Sequence, residues 1–140
     1  MYLLDTSILS EFVRRQPNPL VVARATAVPA ASLATSAICV MELRYGAMRR
    51  RDASVFWPRL EREILTRVRV ELFDDAAARK TGDILAALET SRLTIGVEDS
   101  QIAGTALARG LVVVTANTRH FTRVPGLAVE DWTKDSRRAT

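Results

Sequence analysis

Gly110-Leu111-Val112-Val113-Val114-Thr115 places four consecutive apolar β-formers directly after a glycine. Such a run shows no polar side chain on either face, so it predicts a strand covered on both sides. Gly110 in turn stops a helix predicted over about Glu98–Arg109. A doubly covered strand fed by a helix is the signature of a parallel sheet, and the rest of the chain fits it. Tyr2-Leu3-Leu4 reads as a short buried strand, and Asp5-Thr6-Ser7 as a cap for a helix through Leu9–Arg15. Pro17-Asn18-Pro19 stops that helix and opens another, Leu20 to about Ala27. Leu33-Ala34-Thr35 is a weaker strand, and Thr35 or Ser36 caps a helix running to Arg50. The next helix opens at Asp52-Ala53-Ser54 and carries Phe56, Leu60 and Ile64 four apart. Val68, Val70 and Leu72 alternate with Arg69 and Glu71, the period of a strand. Asp74-Asp75 starts a helix with the apolar stripe Ala77, Thr81, Ile84, Leu85 and Leu88, and a last strand is expected near Ala128–Val129. The expected architecture is an α/β domain with a mostly parallel sheet, whose site lies beyond the carboxyl ends of the strands.

The 140 residues suit one domain, placed at 1–133, with a polar tail over 134–140 that includes Arg137 and Arg138. A single Cys excludes an internal disulfide and a multi-Cys zinc site. A single His excludes two-histidine acid–base cleavage of RNA. No apolar stretch approaches the roughly 20 residues that span a bilayer. The first residues lack the basic start of a signal peptide, so a soluble protein of a reducing cytoplasm is expected, with no membrane partner. The net charge is +4, and 18 of the 20 basic residues are Arg; only Lys80 and Lys134 are Lys. Arg suits bidentate phosphate contacts, but a solvated surface under Arg-biased coding gives the same count. Arg14-Arg15 and Arg49-Arg50-Arg51 therefore permit a polyanionic partner without requiring one.

Three carboxylates are more informative. Asp5 ends a strand whose three preceding residues read as buried. Glu42 lies on a helix whose apparent apolar stripe is Ile38, Met41, Tyr45 and Met48, which leans it toward the core. Asp99 precedes Ile102, Ala103, Ala106 and Leu107 at the spacing of one helix face. Singly, each has a structural reading as a cap, a first-turn acid or an ion-pair partner. Together they form an inward set of uncompensated acids, in contrast to Glu61, Glu63 and Glu71, which alternate with Arg on exposed faces. With oxygen donors only, a hard cation such as Mg²⁺ or Mn²⁺ is the fitting ligand. Such an ion beside an Arg-rich surface points to phosphodiester hydrolysis.

At this stage the chain resembles a family. Met1-Tyr2-Leu3-Leu4-Asp5-Thr6-Ser7 is similar to the opening of PIN-domain ribonucleases, as is Ser36-Ala37-Ile38 leading to Glu42-Leu43-Arg44-Tyr45-Gly46. Asp99-Ser100-Gln101-Ile102-Ala103, Ala106–Gly110 and Val113-Val114-Thr115-Ala116-Asn117-Thr118-Arg119-His120-Phe121 extend the match over nearly the whole chain. Order, spacing and length resemble the toxin subunit of VapBC-type toxin–antitoxin pairs. The resemblance implies a three-layer α/β/α domain and a Mg²⁺- or Mn²⁺-dependent endoribonuclease that cuts tRNA or rRNA and arrests translation. It makes Asp5, Glu42 and Asp99 the metal ligands, with hydroxyls from Thr6 or Thr115 and with Asn117 beyond the last long strand. It further implies in-line hydrolysis leaving a 5′-phosphate, with Asp99 orienting the water. The implied assembly is a homodimer inhibited by a VapB-type antitoxin that covers the acid pocket and alone mediates contact with DNA.

The chain departs from the family at one place. Where many members carry a fourth acid, it has Asn117 and His120, which favours a single bound metal; Glu98 and Asp131 are poorly placed to substitute. His120 reads as a solvated loop residue or else a contact to the scissile phosphate, Cys39 as packing, Arg44 as a surface Arg or a contact to a partner or RNA phosphate, Phe56 as core and Trp57 as a subunit contact. Two other readings compete. A haloacid-dehalogenase-like phosphatase needs an Asp where Ser7 stands, and a receiver domain needs an acidic pair and a central phosphoacceptor Asp. A catalytically inactive RNA- or protein-binding PIN-like module has no use for three inward acids.

Overall fold

The computed structural model describes residues 1–135; Arg137, Arg138 and most of the tail expected over 134–140 lie outside the described residues. Five strands, β1 (Tyr2–Leu4), β2 (Leu33–Ser36), β3 (Arg69–Glu71), β4 (Val112–Val114) and β5 (Val129–Glu130), form one sheet in the order β3-β2-β1-β4-β5. Each neighbouring pair is parallel, with Leu3 opposite both Ala34 and Val113. The helices are α1 (Thr6–Leu9), α2 (Pro19–Ala27), α3 (Ala37–Met48), α4 (Ala53–Leu60), α5 (Asp75–Thr90), α6 (Val97–Arg109) and α7 (Thr118–Phe121). They flank the sheet in the expected three-layer α/β/α arrangement. Among the described residues no helix is long and apolar enough to cross a membrane.

The central strands are buried because both of their faces are covered. Leu3 and Leu4 point to opposite faces and are both inaccessible, as are Val113 and Val114. Burial of each such side chain contributes about 1.5–3 kcal/mol relative to exposure. Ile102, Ala103 and Ala106 of α6 join this core at the spacing read from the sequence. Gly110 adopts φ +66°, the left-handed turn that ends α6 and lets Leu111 begin the approach to β4. Helix α5 lies so close to α6 that a Cβ on Gly104 would meet the Thr81 hydroxyl, and would sit 2.9 Å from both the Ala77 carbonyl oxygen and the Thr81 nitrogen.

Several local expectations are corrected. The first helix begins at Thr6, not Leu9, and gives way to a tighter turn over Ser10–Val13 that leaves Arg14 and Arg15 outside it. Asp5 stands at the N-cap position but makes no capping bond, because its carboxylate is engaged elsewhere. The buried face of α3 is Cys39, Leu43 and Ala47, whereas Met41, Tyr45 and Met48 are exposed. This helix is apolar on every side, so periodicity alone picked the wrong stripe. Val70 is exposed because β3 is the edge strand, a fact of strand order that alternation does not encode, and the exposed Leu72 lies beyond the end of that strand. Leu85 likewise falls outside the buried stripe of α5. The short helix α7 had no counterpart in the sequence reading.

Candidate functional site

A parallel sheet brings the carboxyl ends of its strands to one edge, and there the candidate residues gather. Asp5 follows β1, Ser36 ends β2 and caps α3 by accepting from the Cys39 N–H, and Thr115 follows β4. Two bonds hold Asp5 in register with its neighbours: its own N–H donates to the Val114 carbonyl at 2.9 Å, and Thr35 Oγ1 donates to the Leu4 carbonyl at 2.8 Å. Helix α3, launched from Ser36, then carries Cys39 and Glu42 toward Asp5.

The Asp5 side chain is buried and fully employed. Thr115 Oγ1 donates to its Oδ2 at 2.8 Å and Ser7 Oγ donates to the same oxygen at 3.2 Å. Ser7 also accepts from the Ala116 N–H, and Thr115 accepts from the Asn117 N–H, so the turn after β4 is pinned to the acid. Glu42 is half-buried, and Thr6 Oγ1 donates to its Oε1 at 3.1 Å. Ligand atoms of Asp5, Cys39 and Glu42 all lie within 4.8 Å of one another.

Asp99 occupies the first turn of α6, half-buried, and does not join that close cluster. It is turned toward the segment after β4 instead. His120 Nδ1 lies 3.0 Å from its Oδ2, and Asn117 Nδ2 donates to the same oxygen at 3.4 Å. The expectation of a merely solvated His120 is therefore corrected: it is the direct partner of Asp99, a contact across 21 positions that no local pattern reveals. Glu98 is exposed, though its charge reaches Glu42, and Asp131 is taken up by the backbone N–H and hydroxyl of Thr133.

Electrostatics shows what the cluster lacks. Burial pushes the Asp5 carboxyl above its ordinary range against the opposing bonds from Thr115 and Ser7, and the charge of Asp99 adds to the rise. Burial likewise raises Glu42, aided by Asp5, Asp99 and Glu98. Cys39, wholly buried 3.9 Å from Asp5 Oδ1, has its thiol pushed up by burial and by that carboxylate, which fits a packing role. Among the described residues no Arg or Lys forms a salt bridge with Asp5 or Glu42, although Arg is abundant elsewhere. Paired, partly desolvated carboxylates without a cation are a donor set suited to a hard divalent ion.

Beside the acids runs a groove of about 770 Å³. Thr6 and Glu42 line it together with Arg14, Arg15, Arg50 and Arg59, over an apolar floor that includes Leu43, Phe56 and Leu60. Arg50 stacks over the Phe56 ring at 3.8 Å and pairs with Asp52. Arg44 covers Trp57 at 4.8 Å. Phe56 and Trp57 are both half-buried and pack against the core.

The profile of the PIN domain matches residues 2–127. Over 135 residues the chain is 36% identical to the tRNA(fMet)-specific endonuclease VapC of Shigella flexneri, covering 94% of this chain and 97% of that protein. It is 40% identical over 128 residues to the VapC ribonuclease Y4jK of Sinorhizobium fredii, covering 86% of this chain and 90% of the relative. The crystal structure of DNA-bound VapBC from Salmonella typhimurium contains a similar chain, with a TM-score of 0.85 at 36% identity over 94% of this chain and 97% of that one. The chain belongs to the PIN-domain family and, within it, to the VapC-type ribonuclease toxins.

Proposed function

We propose that this protein is a Mg²⁺- or Mn²⁺-dependent endoribonuclease that cuts structured RNA, tRNA or rRNA, and so stops translation, and that a VapB-type antitoxin holds it inactive. The observation that carries the metal requirement is the approach of Asp5 and Glu42 without a neutralising cation, with Asp99 adding to the repulsion. Asp5, Glu42 and Asp99 would hold the ion, which when bound supplies a more acidic water and a counter-charge for the phosphate. The protein's own groups do the positioning. Thr115 and Ser7 fix Asp5 and Thr6 fixes Glu42, and Asp99 would orient the attacking water. Arg14, Arg15, Arg50 and Arg59 bind phosphates that flank the scissile one.

The tRNA assignment draws on the printed specificity of the Shigella relative, and the antitoxin on the VapBC complex from Salmonella. We assign contact with DNA to the antitoxin alone, and place the protein in the cytoplasm. The exposed Met41, Tyr45 and Met48 of α3 support a homodimer or a larger assembly with the antitoxin. The deciding experiment is RNA cleavage with and without Mg²⁺ or Mn²⁺, run beside Asp5→Ala and Asp99→Ala, with end analysis for 5′-phosphates. The expected result is cleavage by the native protein that EDTA and either substitution abolish. Cleavage that survives EDTA sinks the metal–carboxylate reading; no cleavage of any RNA leaves the inactive binding module as the better description.

A further inference from the structure

The strongest unexplained contact in the molecule is the one between its only histidine and Asp99. His120 Nδ1 is 3.0 Å from Asp99 Oδ2 and 3.1 Å from Asn117 Nδ2. The amide nitrogen of Asn117 is a donor in either case, so the imidazole proton has two placements. A bare Nδ1 would accept from the Asn117 amide but set its lone pair against a carboxylate oxygen at 3.0 Å; a protonated Nδ1 gives up the Asn117 contact and donates to that charged oxygen, the stronger of the two bonds. With the proton on Nδ1, the ring donates to Asp99 and the Asn117 amide donates to the same oxygen at 3.4 Å. Both donors therefore converge on Oδ2, and no donor reaches Oδ1 among the described residues.

We infer that His120 is the positioning residue of Asp99: donation from Nδ1 occupies Oδ2, fixes the carboxylate, and leaves Oδ1 as the single oxygen offered to a divalent ion. The inference rests on the metal reading of Asp5, Glu42 and Asp99. Of these acids Asp99 most needs such help. Asp5 and Glu42 are each steadied by hydroxyls and burial, whereas Asp99, half-buried in the first turn of α6, has His120 and Asn117 as its side-chain partners and no hydroxyl among the described residues. The partner supplied by α7 does for Asp99 what Thr115 does for Asp5. Removing such an outer contact typically weakens metal binding about 10–100-fold.

The test is direct Mn²⁺ binding, read from the electron paramagnetic resonance of the free ion, on the full chain and on His120→Ala, His120→Asn and Asp99→Asn. His120 is partly exposed, so the alanine variant is expected to unfold, without metal, at the native temperature. The expected result is Mn²⁺ affinity down about 10-fold or more in His120→Ala. Affinity largely restored in His120→Asn, whose amide nitrogen stands near the position of Nδ1, would mark donation as the cause. Native-like affinity in His120→Ala, with Asp99→Asn impaired, overturns the inference and leaves the metal site intact. So does an asparagine variant as weak as the alanine one. A native protein that binds no Mn²⁺ overturns the metal reading itself and the inference with it.

Discussion

The hydroxyl of Thr115 donates to Oδ2 of Asp5 across 2.8 Å, joining residues 110 positions apart. It is the strongest bond opposing the desolvation of that acid. Thr115→Val removes the donor at almost constant volume in a wholly buried site. Asp5 Oδ2 then keeps only Ser7, its carboxyl rises further, and the unfolding free energy at neutral pH falls by about 1–2 kcal/mol. Urea titration measures the loss. Thr115→Ser should recover most of it, and a serine variant as unstable as the valine one would show that the hydroxyl alone does not account for the loss.

The stacked acids make stability run against the usual acid-denaturation trend. In the folded state Asp5 and Glu42 titrate above their ordinary carboxylate values, so the native protein holds protons that the unfolded chain releases. Their contribution to stability therefore falls as pH rises from the ordinary carboxylate range through the raised values, and the penalty is complete above them. In EDTA, Asp5→Asn is expected to be more stable than the native protein at neutral pH by about 1 kcal/mol, the scale of substitutions that relieve a functional site. The advantage should shrink on acidification. Paired melts across that window check it, and an asparagine variant less stable at neutral pH would contradict the electrostatic account.

Metal addition should reverse that penalty. An ion bound only by the folded state stabilises it by about 2.7 kcal/mol at 100 times its dissociation constant. Thermal scans in Mg²⁺ or Mn²⁺ should raise the melting temperature of the native protein and leave Asp5→Asn nearly unmoved. Equal shifts in both would place the binding elsewhere.

Cys39 lies wholly buried behind Asp5, and both burial and that carboxylate disfavour its thiolate. A thiol reagent at mildly alkaline pH should react slowly with the folded protein and rapidly in denaturant, since the thiolate is the reactive form. Following the released chromophore is enough. Fast reaction without denaturant would mean that the strand end opens.

Gly104 is fixed by the contact between α5 and α6. In Gly104→Ala the new methyl meets Thr81 and two backbone atoms that cannot turn away, each 2.9 Å from its position. A loss of about 2 kcal/mol or more is expected by overpacking. Adding Thr81→Ala should recover only part of it, because the backbone contacts remain; full recovery in denaturant titrations would mean that only the hydroxyl blocks the site.

The fold was legible where composition left one option. Val112–Val114 and Tyr2–Leu4 have nothing polar to turn outward, and Gly110 marks its helix end, so the parallel sheet follows directly. Asp5 and Asp99 were found by their positions against apolar neighbours. Glu42 reads as inward from the stripe Ile38, Met41, Tyr45 and Met48, but α3 is apolar all round and its buried side is Cys39, Leu43 and Ala47. The contacts of Ser7 with Thr115 and of His120 with Asp99 were not legible, since each pair is brought together only by the closed sheet. Exposure of Val70 was equally unreadable, because alternation reports a strand but not whether it lies at the edge.

The position of β1 in the middle of the sheet bears on how the protein is made. Tyr2 and Leu3 pair with Val112 and Val113, so β1 is made long before the partner strand that closes on it. Pairing over such a separation is slow, because loop closure must precede the contacts that reward it. A ribosome-bound chain that has not yet emerged past Thr115 lacks the hydroxyl that seats Asp5 and the turn that carries Asn117 and His120. The seat of Asp5 is thus completed only when β4 closes on β1.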